Sequence, residues 1–243
     1  MGTNSRLGLI GTLAASMIWG LQAHAADVDA AIVFAVDFSS SVDPDTADLQ
    51  RDGHAAAITS PEIIAAIARN HVGCISIIYF EWSSSGRMRK VLPWTSICGL
   101  EDAEAAASVI RKKGDRGYGR RGRGGTSISY AIDVGSLLLD QFPGTADRKI
   151  IDISANGENN NGPPVQQSRL KAIAKGYTVN AISLPSTDGS SHSLASYFTE
   201  NVIGGPLAFV ITPTGASDYA VALRRKLVIE IGMDMDARGP SDN

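Results

Sequence analysis

Apolar positions along the chain fall into short unbroken runs separated by longer stretches of helical spacing. Ala30–Val36 (AAIVFAV) is apolar throughout, which suits a strand buried on both faces. Cys74–Trp82, Lys149–Ile153, Tyr177–Leu184 and Ala208–Ile211 read as further strands. Arg87–Trp94 follows Cys74–Trp82 through Ser83-Ser84-Ser85-Gly86, so these two strands predict a hairpin. Helical spacing covers Asp45–Ile58, Glu62–Arg69, Glu101–Arg111, Ser127–Leu139, Val165–Lys175, Leu194–Val202 and Ser217–Ile231. Pro44 suits a first helical turn, Ser60 a cap, and Gly176 a helix end. Strands and helices alternate almost throughout. This predicts an α/β fold: a doubly wound, mostly parallel six-stranded sheet with one antiparallel edge strand. Such sheets bind ligands at the carboxyl ends of their strands, where the winding reverses.

The start of the chain changes the cellular setting. Arg6 precedes an apolar run from Leu7 to Leu21, and Ala23-His24-Ala25 follows with small residues where a signal peptidase reads them. Residues 1–25 are expected to be a signal peptide, with Ala26 the first mature residue. The run is short for a membrane anchor, and no later segment is long and apolar enough to span a bilayer. The protein is therefore expected in the periplasm or outside the cell. One domain is expected over 26–232, with a loose polar tail over 233–243. Hydrophobic residues at 44% and charged residues at 19% fit a globular domain, and a formal net charge of -3 argues against a nucleic-acid binder. Export also bears on Cys74 and Cys98, the two cysteines of the chain. Cys74 starts one hairpin strand and Cys98 lies just past the end of the other, so a disulfide is expected in an oxidising space. Two buried free thiols are the alternative.

The loop after the first strand reads Asp37-Phe38-Ser39-Ser40-Ser41, or D-x-S-x-S. Alternate residues of an extended segment point the same way, so one carboxylate and two hydroxyls can converge. These are hard oxygen donors suited to Mg²⁺, Mn²⁺ or Ca²⁺. Alone the pattern is weak, since Asp and Ser are common in loops and caps. Gly124-Gly125-Thr126-Ser127 places another hydroxyl at a helix start, and Ser154-Ala155-Asn156-Gly157 ends another strand.

With these loops in this order, nearly the whole mature chain resembles the von Willebrand factor type A family, whose fold is Rossmann-like. Tyr79-Phe80-Glu81-Trp82, Pro93-Trp94-Thr95 and Asn159-Asn160 look closer still to a bacterial subgroup of unknown function, the DUF1194 proteins. The resemblance implies a metal-ion-dependent adhesion site (MIDAS) in which Asp37, Ser39, Ser41 and Thr126 hold a divalent ion, directly or through water. The family's third-loop Asp is Asn156 here, an oxygen donor without charge. Asp43, Asp152 and Glu158 are candidates to compensate, and otherwise the ion is held more weakly than the family norm, or not at all.

Other motifs add little. Gly117–Ser127 has no Lys before its Thr and no strand leading in, so it is not a phosphate-binding loop. There is no G-x-S-x-G elbow. His54, His71 and His192 have no metal spacing, and Trp82 and Trp94 fall on strands where core packing is expected.

The resemblance implies a binding module, not an enzyme: a metal held by neutral hydroxyls accepts a carboxylate from a partner. A metal-assisted hydrolase would need a base, for which Glu158 is the candidate. A scaffold subunit with a degenerate site is the third reading. Arg111, Lys112, Lys113, Arg116, Arg120, Arg121 and Arg123 crowd the stretch before Thr126, with Asp115 the single acid. Arg120, Arg121 and Arg123 are expected to meet an anionic ligand, first an acidic protein surface and second an anionic lipid or glycan. A solvated loop is the plain alternative.

Overall fold

The computed structural model describes residues 28–119, 122–184 and 191–232. The expected signal peptide, the expected tail, and Arg120 and Arg121 lie outside the described residues, as does the side chain of His192.

β1 (Val28–Asp37) is buried at every position. Its side chains alternate between two cores. Ala30, Ile32, Phe34 and Val36 join one apolar cluster, and Ala31, Val33 and Ala35 the other. That is the two-residue period of a strand covered by helices on both faces. β2 (Ile75–Trp82) and β4 (Ala146–Ala155) pair in parallel with β1, one on each side. β5 (Thr178–Ser183) and β6 (Val210–Ile211) continue in parallel, and β3 (Met88–Ile97) runs antiparallel to β2. The order is β3-β2-β1-β4-β5-β6, the doubly wound sheet with one antiparallel edge that the pattern predicts.

α1 (Pro44–Ile58), α2 (Pro61–Arg69), α3 (Leu100–Lys113) and α7 (Tyr219–Gly232) cover one face. α4 (Ile128–Asp140), α5 (Val165–Ala174), α6 (Ser191–Tyr197) and a π-helical turn over Phe198–Val202 cover the other. Winding reverses at β1, since β2 and β4 lie on opposite sides of it. The crevice of the fold therefore opens at the carboxyl end of β1, where Asp37 stands.

Boundaries differ from the sequence pattern where polar residues join a strand. β3 runs past Pro93 to Ile97, with pairing shifts near Ile77, Tyr79 and Phe80. An edge strand tolerates Pro because one row of its N–H groups is unpaired. β4 starts at Ala146, ahead of the apolar run. The expected helix Leu194–Val202 divides into α6 and the π-helical turn.

Cys74 and Cys98 form the expected disulfide, with Cα atoms 4.2 Å apart, tying the start of β2 to the end of β3. Beside it, the buried Asp29 carboxylate accepts N–H bonds from Val72, Gly73 and Cys74 at 2.8, 2.9 and 3.1 Å. Trp82 is fully buried, and Trp94 packs edge-on against Phe142 at 4.8 Å between ring centroids. His54 is core: Phe34 and Tyr79 flank its ring, Nδ1 lies 2.7 Å from the Gln50 carbonyl, and burial lowers its pKa to about 4. His71 is exposed. No described helix is long and apolar enough to cross a membrane.

Candidate metal centre

Asp37 is the last residue of β1 and is 1% exposed. One of its oxygens, Oδ1, accepts the Ser39 N–H at 2.7 Å. The other, Oδ2, is buried with no hydrogen-bond partner. Next to Asp37 the three loops meet. Ser39 Oγ lies 3.0 Å from Ser41 Oγ, and Thr126 donates to Ser39 Oγ at 3.4 Å. Ser41 donates to Asn156 Oδ1 at 2.9 Å. The structure thus brings Asp37, Ser39, Ser41, Thr126 and Asn156 into one chain of neighbours. The cluster grades from buried Asp37, Ser39 and Thr126 to exposed Ser41, so it opens to solvent on one side. Burial raises the Asp37 pKa to about 6, against the Ser39 N–H and hydroxyl and the Asn156 N–H, which lower it.

The donor set fits a hard divalent cation. Its geometry supplies one carboxylate, neutral hydroxyls and a side-chain amide, and the buried unpartnered oxygen gains most from a cation. Among the described residues no cluster of three or more His, Cys, Asp or Glu side chains is placed to hold a metal, so any ion here depends on the hydroxyls.

Two of the acids considered as replacements for the missing third-loop carboxylate have other partners. Asp43 caps α1, accepting the Thr46 N–H at 2.8 Å. Asp152 lies within β4, 2.6 Å from Lys226 Nζ under α7. Glu158 is exposed in the loop after β4.

Residues to which the sequence pattern gave no role at the site hold these loops in place. Asn159, Asn160 and Asn161 each turn a side-chain oxygen to a different backbone N–H: Ser129 at 3.0 Å, Thr126 at 2.8 Å and Ser85 at 2.8 Å. The loop after β4 thereby grips the start of α4, the Thr126 loop and the β2–β3 turn. Gly125 admits this grip, since a Cβ there would stand 2.4 Å from Asn160 Oδ1. From below, Gln50 donates to the Asp37 carbonyl at 2.9 Å and accepts from Ser154 at 2.8 Å. Ser154 in turn lies 3.1 Å from the Tyr219 hydroxyl. An Asn run in a loop and a Gln on a helix look like solvated polar residues until the tertiary contacts are known.

The Gly/Arg stretch is only partly what its charges suggest. Arg111, Lys112, Lys113 and Arg116 are exposed. Arg123, expected to meet a partner, instead points inward. It is 8% exposed and pairs in two-pronged fashion with Asp115, at 2.7 and 2.9 Å. The physical reason is local: the stretch carries one acid, and the loop folds so that this carboxylate takes the guanidinium fork.

Fold and switch-point loops together define a von Willebrand factor A-like α/β domain. The sequence profile of DUF1194, a family of proteins of unknown function, matches residues 27–235, and the chain belongs to that family. Comparison with curated proteins yields no match. Among solved structures, the pilus adhesin SpaC from Lactobacillus rhamnosus GG is 14% identical with a TM-score of 0.60, over 84% of this chain and 31% of that one. Proximal thread matrix protein 1 from the mussel byssus is 21% identical with a TM-score of 0.58, over 84% and 48%. A von Willebrand factor type A protein from Catenulispora acidiphila is 12% identical with a TM-score of 0.56, over 86% and 44%. The chain thus spans less than half the length of each of these proteins.

Proposed function

We propose that this protein is an exported binding module that docks a protein partner through a divalent cation held by Asp37, Ser39, Ser41, Thr126 and Asn156. The observation that carries the reading is the buried, unpartnered Asp37 Oδ2 beside converging hydroxyls. A carboxylate oxygen out of water with no donor is unfavourable unless a cation joins it. An ion held mainly by neutral oxygens keeps much of its charge, and so attracts a carboxylate from outside. Oxygen donors favour Mg²⁺, Mn²⁺ or Ca²⁺. The mussel thread protein, whose fold this chain shares, has a form with a zinc-occupied MIDAS motif, and another neighbour is a pilus adhesin. These support divalent-ion binding and an adhesion or assembly role. The signal-like start and the disulfide support export. Exposed Arg111, Lys112, Lys113 and Arg116 favour an acidic protein surface as partner, with Arg120 and Arg121 adding charge in sequence.

Isothermal calorimetry with Mg²⁺, Mn²⁺ and Ca²⁺ tests the reading. One site per chain is expected for the wild type and none for Asp37→Ala. No heat with any of the three ions, in the wild type or in Asn156→Asp, sinks it. Co-purification from the exported fraction with and without chelator then tests the partner, which is expected to leave with the metal.

A further inference from the structure

Arg123 is a loop arginine whose guanidinium is almost wholly buried, and its contacts converge on the first metal loop. One nitrogen donates to the Phe38 carbonyl at 3.2 Å, and the other donates to the Tyr118 carbonyl. Both nitrogens also pair with Asp115. The guanidinium carbon lies 5.3 Å from the centre of the Phe38 ring. Arg89 approaches the same ring at 5.9 Å and is paired with buried Glu81, which accepts the Asp115 N–H at 2.6 Å. Phe38 is therefore held by two guanidinium groups, and each belongs to an ion pair linked to the other.

The Phe38–Ser39 peptide is the connecting point. Its oxygen is the one Arg123 holds, and its N–H is the one that donates to Asp37 Oδ1. The next N–H, of Ser40, donates to the Gly124 carbonyl at 3.1 Å, one residue from Arg123. We infer that Arg123 is a positioning residue for the metal loop: it fixes the Phe38–Ser39 peptide and thereby sets the aim of the Asp37 carboxylate and the Ser39 hydroxyl. This rests on the metal reading of that loop. A lysine does not replace it, because one ammonium on a flexible stem cannot hold a carboxylate with a planar fork and two carbonyls at once. Groups that hold metal ligands in place typically change metal affinity 10- to 100-fold when removed.

The test uses Arg123→Lys, which keeps the charge and loses the fork. Two readouts are taken on the full protein: Mn²⁺ affinity by calorimetry, and amide hydrogen exchange at Ser39 and Ser40 in metal-free protein. Roughly tenfold or greater weakening of Mn²⁺ is expected, with faster exchange at both amides. An arginine that only stabilised the fold would lower the melting temperature without moving either. Wild-type Mn²⁺ affinity together with unchanged exchange at Ser39 and Ser40 overturns the inference. If the wild type binds another of the three ions but not Mn²⁺, that ion replaces Mn²⁺ in the test; if it binds none, the metal reading fails, and amide exchange still decides whether Arg123 orders the loop. Should the lysine variant not fold, Asp115→Asn removes the ion pair while keeping an acceptor. The same two readouts should then move in the same direction by a smaller factor, and no movement in either again overturns the inference.

Discussion

β1 and β4 lie side by side, and each buries an aspartate, but the two carboxylates live differently. Asp152 is in mid-strand on the face under α7, 2.6 Å from the fully buried Lys226. Lys226 also bonds Glu230, one turn along the same helix, and Asn180 donates to Glu230 at 2.6 Å. Asp37 stands at the strand end among hydroxyls, and among the described residues no ion pair involves it. One carboxylate has a cation built into the chain, although Glu230 shares it, and the ion pair is part of the core. The other lacks a cation and opens to solvent through Ser41, which is what the proposed metal site requires if its cation comes from outside. Both pKa values rise through burial; for Asp152, Lys226 opposes that rise.

The largest test removes the internal cation. Lys226→Met leaves two buried carboxylates without their partner, and breaking such a pair typically destabilises by about 3–5 kcal/mol. Asp37→Asn, by contrast, removes a buried charge that has no ionic partner, so metal-free stability should hold or rise. Urea denaturation of both variants checks this. Equal destabilisation by the two would break the distinction.

The disulfide separates the two ends of the sheet. Cys74 and Cys98 are 24 residues apart and lie at the end of β2 and β3 away from the metal loops. Replacing both with Ser should lower stability by about 3 kcal/mol, from loss of the restraint on the unfolded chain. Mn²⁺ affinity should not change. A weaker metal site in that variant would mean the two ends are coupled.

Metal itself comes next. Saturating Mn²⁺ at about 100 times its dissociation constant should stabilise the wild type by roughly 2.7 kcal/mol, and Asp37→Asn by nothing. Asn156→Asp should tighten Mn²⁺ by about tenfold, or about 1.4 kcal/mol, while lowering metal-free stability through repulsion from Asp37. A variant more stable without metal would place residue 156 away from the Asp37 carboxylate.

These contrasts show what the sequence could and could not carry. The apolar run Ala30–Val36 announces a doubly covered strand because burial on both faces leaves no polar position. The D-x-S-x-S spacing announces convergent oxygens because a strand end fixes alternate directions. Both are local. Arg123 and Lys226 were opaque for the opposite reason. A lysine four residues before a glutamate fits a surface helix pair, and an arginine in a Gly/Arg run reads as charge offered to an anionic ligand or to solvent. The approach of Asp152 engages one, and the folding of the loop onto Asp115 and Phe38 engages the other. The sequence likewise suggested Asp152 as a spare charge for the metal, which its place under α7 excludes.

The smallest test concerns the surplus charge in the internal cluster. Lys226 can balance one carboxylate, and two surround it. Burial raises the Glu230 pKa from 4.5 to about 7; Lys226 opposes the rise and Asp152 adds to it. Because the folded value lies above the unfolded one, the contribution of Glu230 to stability is complete below pH 4.5. It is lost as pH rises to about 7, where the folded protein must also release the proton. His54, lowered from 6.5 to about 4, acts with the opposite sign, its contribution complete above 6.5 and lost as pH falls. Wild-type stability therefore mixes the two slopes, and Asp37 and Asp152 add to the first. Glu230→Gln isolates one of them, since His54 and Asp37 remain in both proteins and cancel in the difference. Between about pH 5 and 7, wild-type stability should fall relative to Glu230→Gln by up to about 1.4 kcal/mol per pH unit. Above pH 7 the two curves should run parallel. Curves parallel through the whole range would mean that Lys226 and Asn180 hold Glu230 ionised, and the internal site would then carry a buried negative charge as unbalanced as that of Asp37.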